Sequence, residues 1–245
     1  MIYVLGESGS GKSEALKISL RYLLARTNYQ CSDLFIQTNA ILELFGNCRT
    51  NHNSNSSRFG KYFQLKFNTQ GELIEGEIQS YFIEKSRVVK QHIGERNFHC
   101  FDVLLSKKDY GLNLDIKDYY YLNQGNCSPT NEYNFEQIVQ NFQTILFKDS
   151  EIALIWKVLA SIVHLGNLVF VNIDDQHCSI NQPNNELDWI AKLLECNQND
   201  LSSALTSFEL TIRDEILQTK SSITKANYVR DLLSRVWLCT RFHLI

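Results

Sequence analysis

Residues 6–13 read Gly6-Glu7-Ser8-Gly9-Ser10-Gly11-Lys12-Ser13, and the rest of the chain is interpreted outward from them. They match the phosphate-binding pattern G-x-x-x-x-G-K-[ST]. In it, glycines let successive backbone N–H groups turn toward a polyphosphate, a lysine supplies positive charge, and the last hydroxyl is placed for a magnesium ion. The flanks suit that use. Ile2 to Leu5 predicts a short buried strand, and Glu14 to Ala25 predicts a helix whose N-terminus faces the anion. Strand, loop and helix in this order favour a nucleotide site over a plain glycine turn between packed elements.

Composition narrows the function classes. The chain has 245 residues, 44% hydrophobic and 21% charged, enough for a sizeable core in one large domain or part of one. A net charge of −3 gives no electrostatic reason to expect nucleic acid as a partner. Seven cysteines, widely spaced and without a C-x-x-C pair, indicate reduced thiols rather than a disulfide framework or a zinc site. There is no secretory leader and no apolar run long enough for a bilayer, so the expected location is intracellular.

Along the chain, the helix after the phosphate loop carries so many apolar residues that burial on most sides is expected. Asp33 is a candidate cap for a second helix ending near Leu44. Asn47 to Ser57 is dense in Asn, Ser and Thr and predicts a loop. Phe63, Leu65 and Phe67 alternate with polar residues as in a half-buried strand, Gly71 turns the chain, and further strands are expected at Leu73–Ile74 and Ile78–Ile83. A helix over Phe98–Leu105 follows, then an irregular surface excursion from Lys107 to Ser128. Asn134 with Gln137 predicts a capping box, Ser150 a cap for a helix reaching His164, and 187–194 and 201–207 two short helices. Arg213 to Lys225 is basic and rich in hydroxyls, and a last helix ends the sequence.

The second informative stretch is Asn53-Ser54-Asn55-Ser56-Ser57-Arg58-Phe59-Gly60-Lys61. Hydroxyls for magnesium and phosphate, amides for orientation and an arginine for a closing ion pair are what a switch loop of a nucleotide hydrolase needs. Taken alone, the same composition also describes a solvated loop entering a strand.

Together the two stretches resemble the myosin motor head: Gly6 to Glu14 is similar to its phosphate loop GESGAGKTE, and Asn53 to Lys61 to its switch I, NxNSSRFGK. Collinear matches continue at Phe45-Gly46-Asn47, Glu84-Lys85-Ser86-Arg87-Val88, Glu95-Arg96-Asn97-Phe98-His99, Tyr121-Leu122-Asn123-Gln124, His164-Leu165-Gly166-Asn167 and Val229-Arg230-Asp231. The resemblance covers nearly the whole sequence. It implies an α/β, P-loop NTPase-like motor head with a mixed central sheet flanked by helices, here incomplete. Within it, 1–105 would be the nucleotide-binding core and 106–245 a mainly helical upper actin-binding part.

The implied cofactors are ATP and Mg2+. Gly6, Glu7, Ser8, Gly9, Ser10, Gly11, Lys12 and Ser13 would cradle the nucleotide, with Lys12 on the β- and γ-phosphates. Asn53 would touch the phosphates, and Ser13 and Ser57 would be the magnesium hydroxyls. Ser56 would lie beside the γ-phosphate and attacking water, and Arg58 would pair with a glutamate of switch II. Implied partners are actin filaments, and light chains only in a longer protein, with a cytoplasmic, cytoskeleton-associated location. Glu215, sixteen residues before Asp231, matches the position where myosins carry an acidic or phosphorylatable residue in an actin-binding loop; a solvated surface charge is the equal alternative.

Departures bound the expectation. Switch II, D-x-x-G-F-E, is expected beyond residue 245, so Arg58 is expected to lack its glutamate partner and turnover by these residues to be weak or negligible. Glu77 stands where the family has a small residue, and Asp102 where it has Tyr. A non-catalytic nucleotide- or actin-binding fragment from a truncated transcript or gene model is the alternative, and a generic phosphate-loop kinase would need a lid and a second acidic magnesium site that the sequence does not offer.

Overall fold

In the computed structural model, residues 4–7, 9–25, 29–128, 133–212 and 215–244 are described, as backbone alone at 29–32, 210–212, 215–218 and 241–244. Helix α1 (Lys12–Leu24) begins on Gly11, whose φ of 81° is left-handed and suits a residue without Cβ. Only Leu20 and Leu24 of this helix are buried, while Ile18 and Tyr22 are mostly exposed. Burial on most sides is therefore corrected to one face, packed on helix α2 (Tyr29–Gly46). Ile2 and Tyr3 lie outside the described residues; Val4 and Leu5 are exposed and unpaired with any strand.

The polar segment after α2 is more ordered than its composition suggests. Strands β1 (Asn47–Cys48) and β2 (Ser56–Ser57) pair antiparallel, Asn47 with Ser57 and Cys48 with Ser56, so only 49–55 are loop. Strands β3 (Gly60–Phe67) and β4 (Leu73–Tyr81) then form a hairpin from Gly60↔Tyr81 to Phe67↔Leu73. Gly76 sits under the Phe35 ring of α2, and a Cβ there would fall 1.7 Å from Phe35 Cζ. That contact seats the hairpin on the helix, and any larger residue at 76 would force them apart.

A 3-10 turn at Lys85–Val88 leads to helix α3 (His99–Ser106), six of whose residues are buried. The expected surface excursion from Lys107 to Ser128 is instead partly core. It holds a 3-10 turn at Ile116–Asp118 and the short helix α4 (Tyr120–Asn123), with Tyr119, Tyr121 and Leu122 buried. Tyr121 can go inside because its hydroxyl donates to Asp231 Oδ1 at 2.6 Å.

Helix α5 (Phe135–Thr144) is capped by Asn134, whose side chain accepts the Gln137 N–H at 3.1 Å. The reciprocal half of that box is absent, since the Gln137 side chain donates to Asn141. Helix α6 (Asp149–Gly166) starts before Ser150, with Glu151 accepting the Lys148 N–H at 2.8 Å. It is the buried spine: Trp156 is 1% exposed and packs against Phe45 and Phe135.

Beyond the spine come strands β5 (Phe170–Asn172) and β6 (Cys178–Ile180), helices α7 (Asn185–Leu194) and α8 (Gln198–Thr206), the hairpin β7 (Ser207–Ile212) and β8 (Glu215–Lys220), and helix α9 (Ile223–Leu244). Composition names no strand at β6 or in the basic, hydroxyl-rich segment that holds β8. Both lack strong alternation and owe their form to a partner strand.

Among the described residues the sheets are four separate antiparallel pairs. The expected mixed central sheet is not assembled by these residues, because every strand closes on a neighbour in sequence and none supplies a parallel partner. Among the described residues no helix is long and apolar enough to cross a membrane, and the six described cysteines are all unpaired.

Candidate functional site

Two segments separated by the whole of α2 line one cavity of about 470 Å³. From the phosphate loop and α1 come Gly9, Gly11, Lys12, Ser13, Glu14 and Lys17; from the 52–58 segment come His52, Asn53, Asn55, Ser57 and Arg58. The N-terminal end of α1 lines the cavity, and there the first amides of a helix have no intrahelical partner and the helix dipole favours an anion.

Gly9 and Gly11 both hold φ of 81°, which bends the loop so that it folds over the lysine. Lys12 Nζ donates to the Gly6 carbonyl at 2.5 Å, to the Glu7 carbonyl, and at 3.5 Å to Ser10 Oγ. The ammonium thus rests on the loop's own oxygens at the cavity wall. Gly6, Glu7 and Ser10 shape the loop without lining the cavity, and Ser8 lies outside the described residues.

The opposite wall is fixed by bonds at nearly every residue. Asn53 accepts from Thr50 through its carbonyl, at 2.9 Å from the N–H, and from the Asn55 N–H through Oδ1 at 3.0 Å. Asn55 Oδ1 lies 2.9 Å from Asn47 Nδ2, which donates to it, and 3.2 Å from His99 Nε2. His99 is wholly buried; burial first, and the Arg96 charge second, pull its pKa down to about 4, so the ring is neutral at physiological pH and its Nε2–H tautomer donates to Asn55. Ser57 Oγ donates to the Phe59 carbonyl at 3.1 Å, and the residue lines the cavity. Ser56 is buried behind this wall, 3.4 Å from Arg58 Nη1, and does not line the cavity.

Arg58 does have a carboxylate partner, which corrects the expectation that it would lack one. Its Nε donates to Glu84 Oε2 at 2.5 Å, and its backbone is clamped between the Gly46 carbonyl and the Glu84 N–H. Burial pushes the Glu84 carboxyl up, but hydrogen bonds from Arg87 and Arg58 outweigh it and hold the group below the ordinary carboxylate range. Arg87, only 4% exposed in its side chain, also reaches Glu95 at 2.9 Å. Asp102 is accounted for in the same layer as the ion-pair partner of buried Arg96. Glu77 lies exposed on β4 opposite Gln64.

A second charge cluster ties the walls together. Buried Glu43 of α2 meets Lys17 of α1 at 3.1 Å and Lys61 of β3 at 3.0 Å. Burial opposes both charges, yet Lys61 and Lys17 keep Glu43 below its usual range, while Glu43 and Glu14 raise Lys17. Lys17, Glu14, His52 and Asn55 were not singled out from sequence. Lys17 follows Ser13 by one helical turn and so shares its face, a spacing that could have marked it.

The cavity is therefore cationic, lined by Lys12, Lys17 and Arg58 against Glu14, with two hydroxyls and two amides between them. No group of three or more His, Cys, Asp or Glu among the described residues could hold a metal by itself. Hydroxyl oxygens facing a polyphosphate suit a hard divalent cation that brings its own waters and phosphate ligands. The family model for the myosin head (motor domain) matches residues 1–245.

The chain belongs to the myosin head family.

Among its relatives are unconventional myosin ID of Drosophila melanogaster, 38% identical across 99% of this chain and 26% of that protein, and unconventional myosin-Ih of Homo sapiens, 37% identical across 96% of this chain and 24% of that protein. Unconventional myosin-Ic of Gallus gallus is 36% identical over the same shares. The chain thus spans about a quarter of the length of these relatives. In this myosin-head segment, residues from 9–17 and from 52–58 line a single cavity.

Proposed function

We propose that this chain is the ATP-binding part of an actin-based myosin motor. The observation that carries the reading is the shared cavity: Lys12 and Ser13 face Asn53, Ser57 and Arg58 across it. Lys12 would leave the loop carbonyls for the β- and γ-phosphates, exchanging neutral acceptors for charged ones. Ser13 and Ser57 would hold Mg2+ jointly with phosphate oxygens, Asn53 would touch the phosphates, and Arg58 would add positive charge beside them. Magnesium when bound neutralises charge developing on the phosphoryl oxygens. Ser56, behind the wall, would act only after a movement of the β2 segment. Positioning of an attacking water would need a further element of the D-x-x-G-F-E type, which residues 1–245 do not contain.

On this reading 1–105 form the nucleotide-binding core, and 106–245 the upper actin-binding part, in a cytoplasmic, cytoskeleton-associated protein. Glu215 is the proposed actin-facing charge. Its backbone opens β8 opposite Ile212 rather than lying in a loop, and its side chain is outside the described residues. Fluorescent nucleotide titration tests the reading: native protein is expected to bind MgATP analogues, and Lys12→Ala to bind them about 10- to 100-fold more weakly. Equal binding by both would overturn it.

A further inference from the structure

We propose that Glu43 is a positioning residue for the nucleotide site: its one carboxylate sets the separation of the two cavity walls, and nucleotide affinity depends on that bridge. The inference rests on the nucleotide reading above and adds to it a residue that does not itself line the cavity.

The carboxylate is divided between the walls. Oε2 accepts from Lys17 Nζ at 3.1 Å on the phosphate-loop side, and Oε1 accepts from Lys61 Nζ at 3.0 Å on the switch side. Asn39, about one turn earlier on α2, completes the arrangement: its Nδ2 donates to Glu43 Oε1 at 3.1 Å, and its Oδ1 accepts from Lys61 at 2.8 Å. The Glu43 and Lys61 side chains are only 8% and 6% exposed, so solvent and salt screen the pair little.

Each end of the bridge acts on a different wall. Lys17 lies one helical turn after Ser13 and lines the cavity. No residue of 12–19 is buried, and the buried Leu20 and Leu24 come later in α1. The half of the helix at the cavity therefore has the Lys17–Glu43 pair, rather than a buried apolar residue, as its anchor. The other partner of Lys17 is Glu14, whose side chain is 70% exposed and holds it weakly. Lys61 follows Arg58 by three residues, on the run from β2 into β3, and does not line the cavity. Gripping one polyphosphate from two walls requires their spacing to be held within about 0.5 Å, and a buried carboxylate bonded to both sides supplies that constraint.

Titrations of the 245-residue protein with a fluorescent MgATP analogue test the bridge. Lys61→Met removes one end without altering the cavity lining and leaves Glu43 paired with Lys17, so no carboxylate is orphaned. It is expected to weaken analogue binding by about 3- to 10-fold, the worth of one hydrogen bond. Glu43→Gln/Lys61→Met removes both buried charges together and is expected to keep that loss; a deficit caused only by an under-compensated Glu43 would disappear in it. The native protein gives a second readout. The NMR signal of the Lys61 ammonium, assigned by its loss in Lys61→Arg, is expected to be protected from solvent exchange and to shift when a non-hydrolysable MgATP analogue saturates the site. Native affinity of Lys61→Met, recovery of native affinity in the double variant, or a Lys61 signal unmoved by bound nucleotide overturns the bridge and leaves the nucleotide reading standing. If Lys61→Met shows no cooperative urea transition, the ammonium signal alone decides. Failure of the native protein to bind any analogue overturns both.

Discussion

The two walls of the cavity are built in opposite ways. The phosphate loop is exposed at Gly6, Glu7, Gly9, Ser10 and Gly11, and its lysine is held by the loop's own oxygens. The facing wall is stitched to β1 through Asn47, to Glu84 at the start of the 3-10 turn at 85–88, and to α3 through His99. The contrast teaches where order resides without a ligand: the switch side is pre-organised by buried polar bonds, and the phosphate loop is a cradle whose contacts are free to be exchanged. Substitutions on the two sides should then separate, with stability lost on one and affinity on the other.

The largest separation is expected from Arg87→Leu. Arg87 neutralises Glu84 and Glu95 from a nearly buried position, and removing one partner of such a pair costs about 3–5 kcal/mol. Urea unfolding should show this loss, whereas Lys12→Ala, on the exposed loop, should stay within about 0.5 kcal/mol of native. Equal destabilisation by the two would erase the distinction between the walls.

His99 gives the next effect and a defined pH window. Its folded pKa of about 4 lies below the ordinary value of 6.5. Above pH 6.5 both folded and unfolded chains carry neutral His99, so stability is complete. As pH falls below 6.5 the unfolded chain takes up the proton first, and stability declines until about pH 4, by about 3 kcal/mol at full expression. His99→Gln keeps an amide donor for Asn55 and removes the titration. It should flatten the pH dependence between 6.5 and 4, as read by urea midpoints, and a variant with the native slope would show that the loss comes from other groups.

Lys12→Ala follows at the ligand rather than the fold. A charge-assisted bond to phosphate contributes about 1.5–3 kcal/mol, so affinity for MgATP analogues should drop about 10- to 100-fold. Single-turnover assays on the native 245 residues should give weak or negligible hydrolysis even where binding is tight. Robust actin-stimulated turnover by these residues would show that positioning of the water does not need a D-x-x-G-F-E element.

Much of this was written in local sequence. Glycine spacing placed the phosphate loop, period-two alternation placed β3, and Asn134 placed the start of α5, because each depends on residues within one turn or one strand. Long-range partners were not readable. Tyr121 looked like surface in a polar stretch and is core because Asp231 supplies a distant acceptor; Asp102 looked anomalous until Arg96 stood beside it; and Arg58 found Glu84 across the β3–β4 hairpin. Composition misjudged Asn47–Ser57 for the same reason. Its polar side chains bond to one another and to His99, so the segment is ordered without an apolar pattern.

The finest test lies within one residue pair. Ser56 and Ser57 are adjacent on β2, and alternation along a strand sends neighbouring side chains to opposite faces. Ser57 lines the cavity, and Ser56 is buried and does not. A hydroxyl that helps hold magnesium should matter only when the ion is present. Ser57→Ala is expected to weaken analogue binding in magnesium by about 3- to 10-fold, the worth of one hydrogen bond of about 0.5–1.5 kcal/mol, and to have little effect in EDTA. Ser56→Ala should leave binding unchanged in both. If Ser56→Ala instead shows the magnesium-dependent loss, the β2 register reverses when nucleotide binds, and the switch side would be the wall that moves.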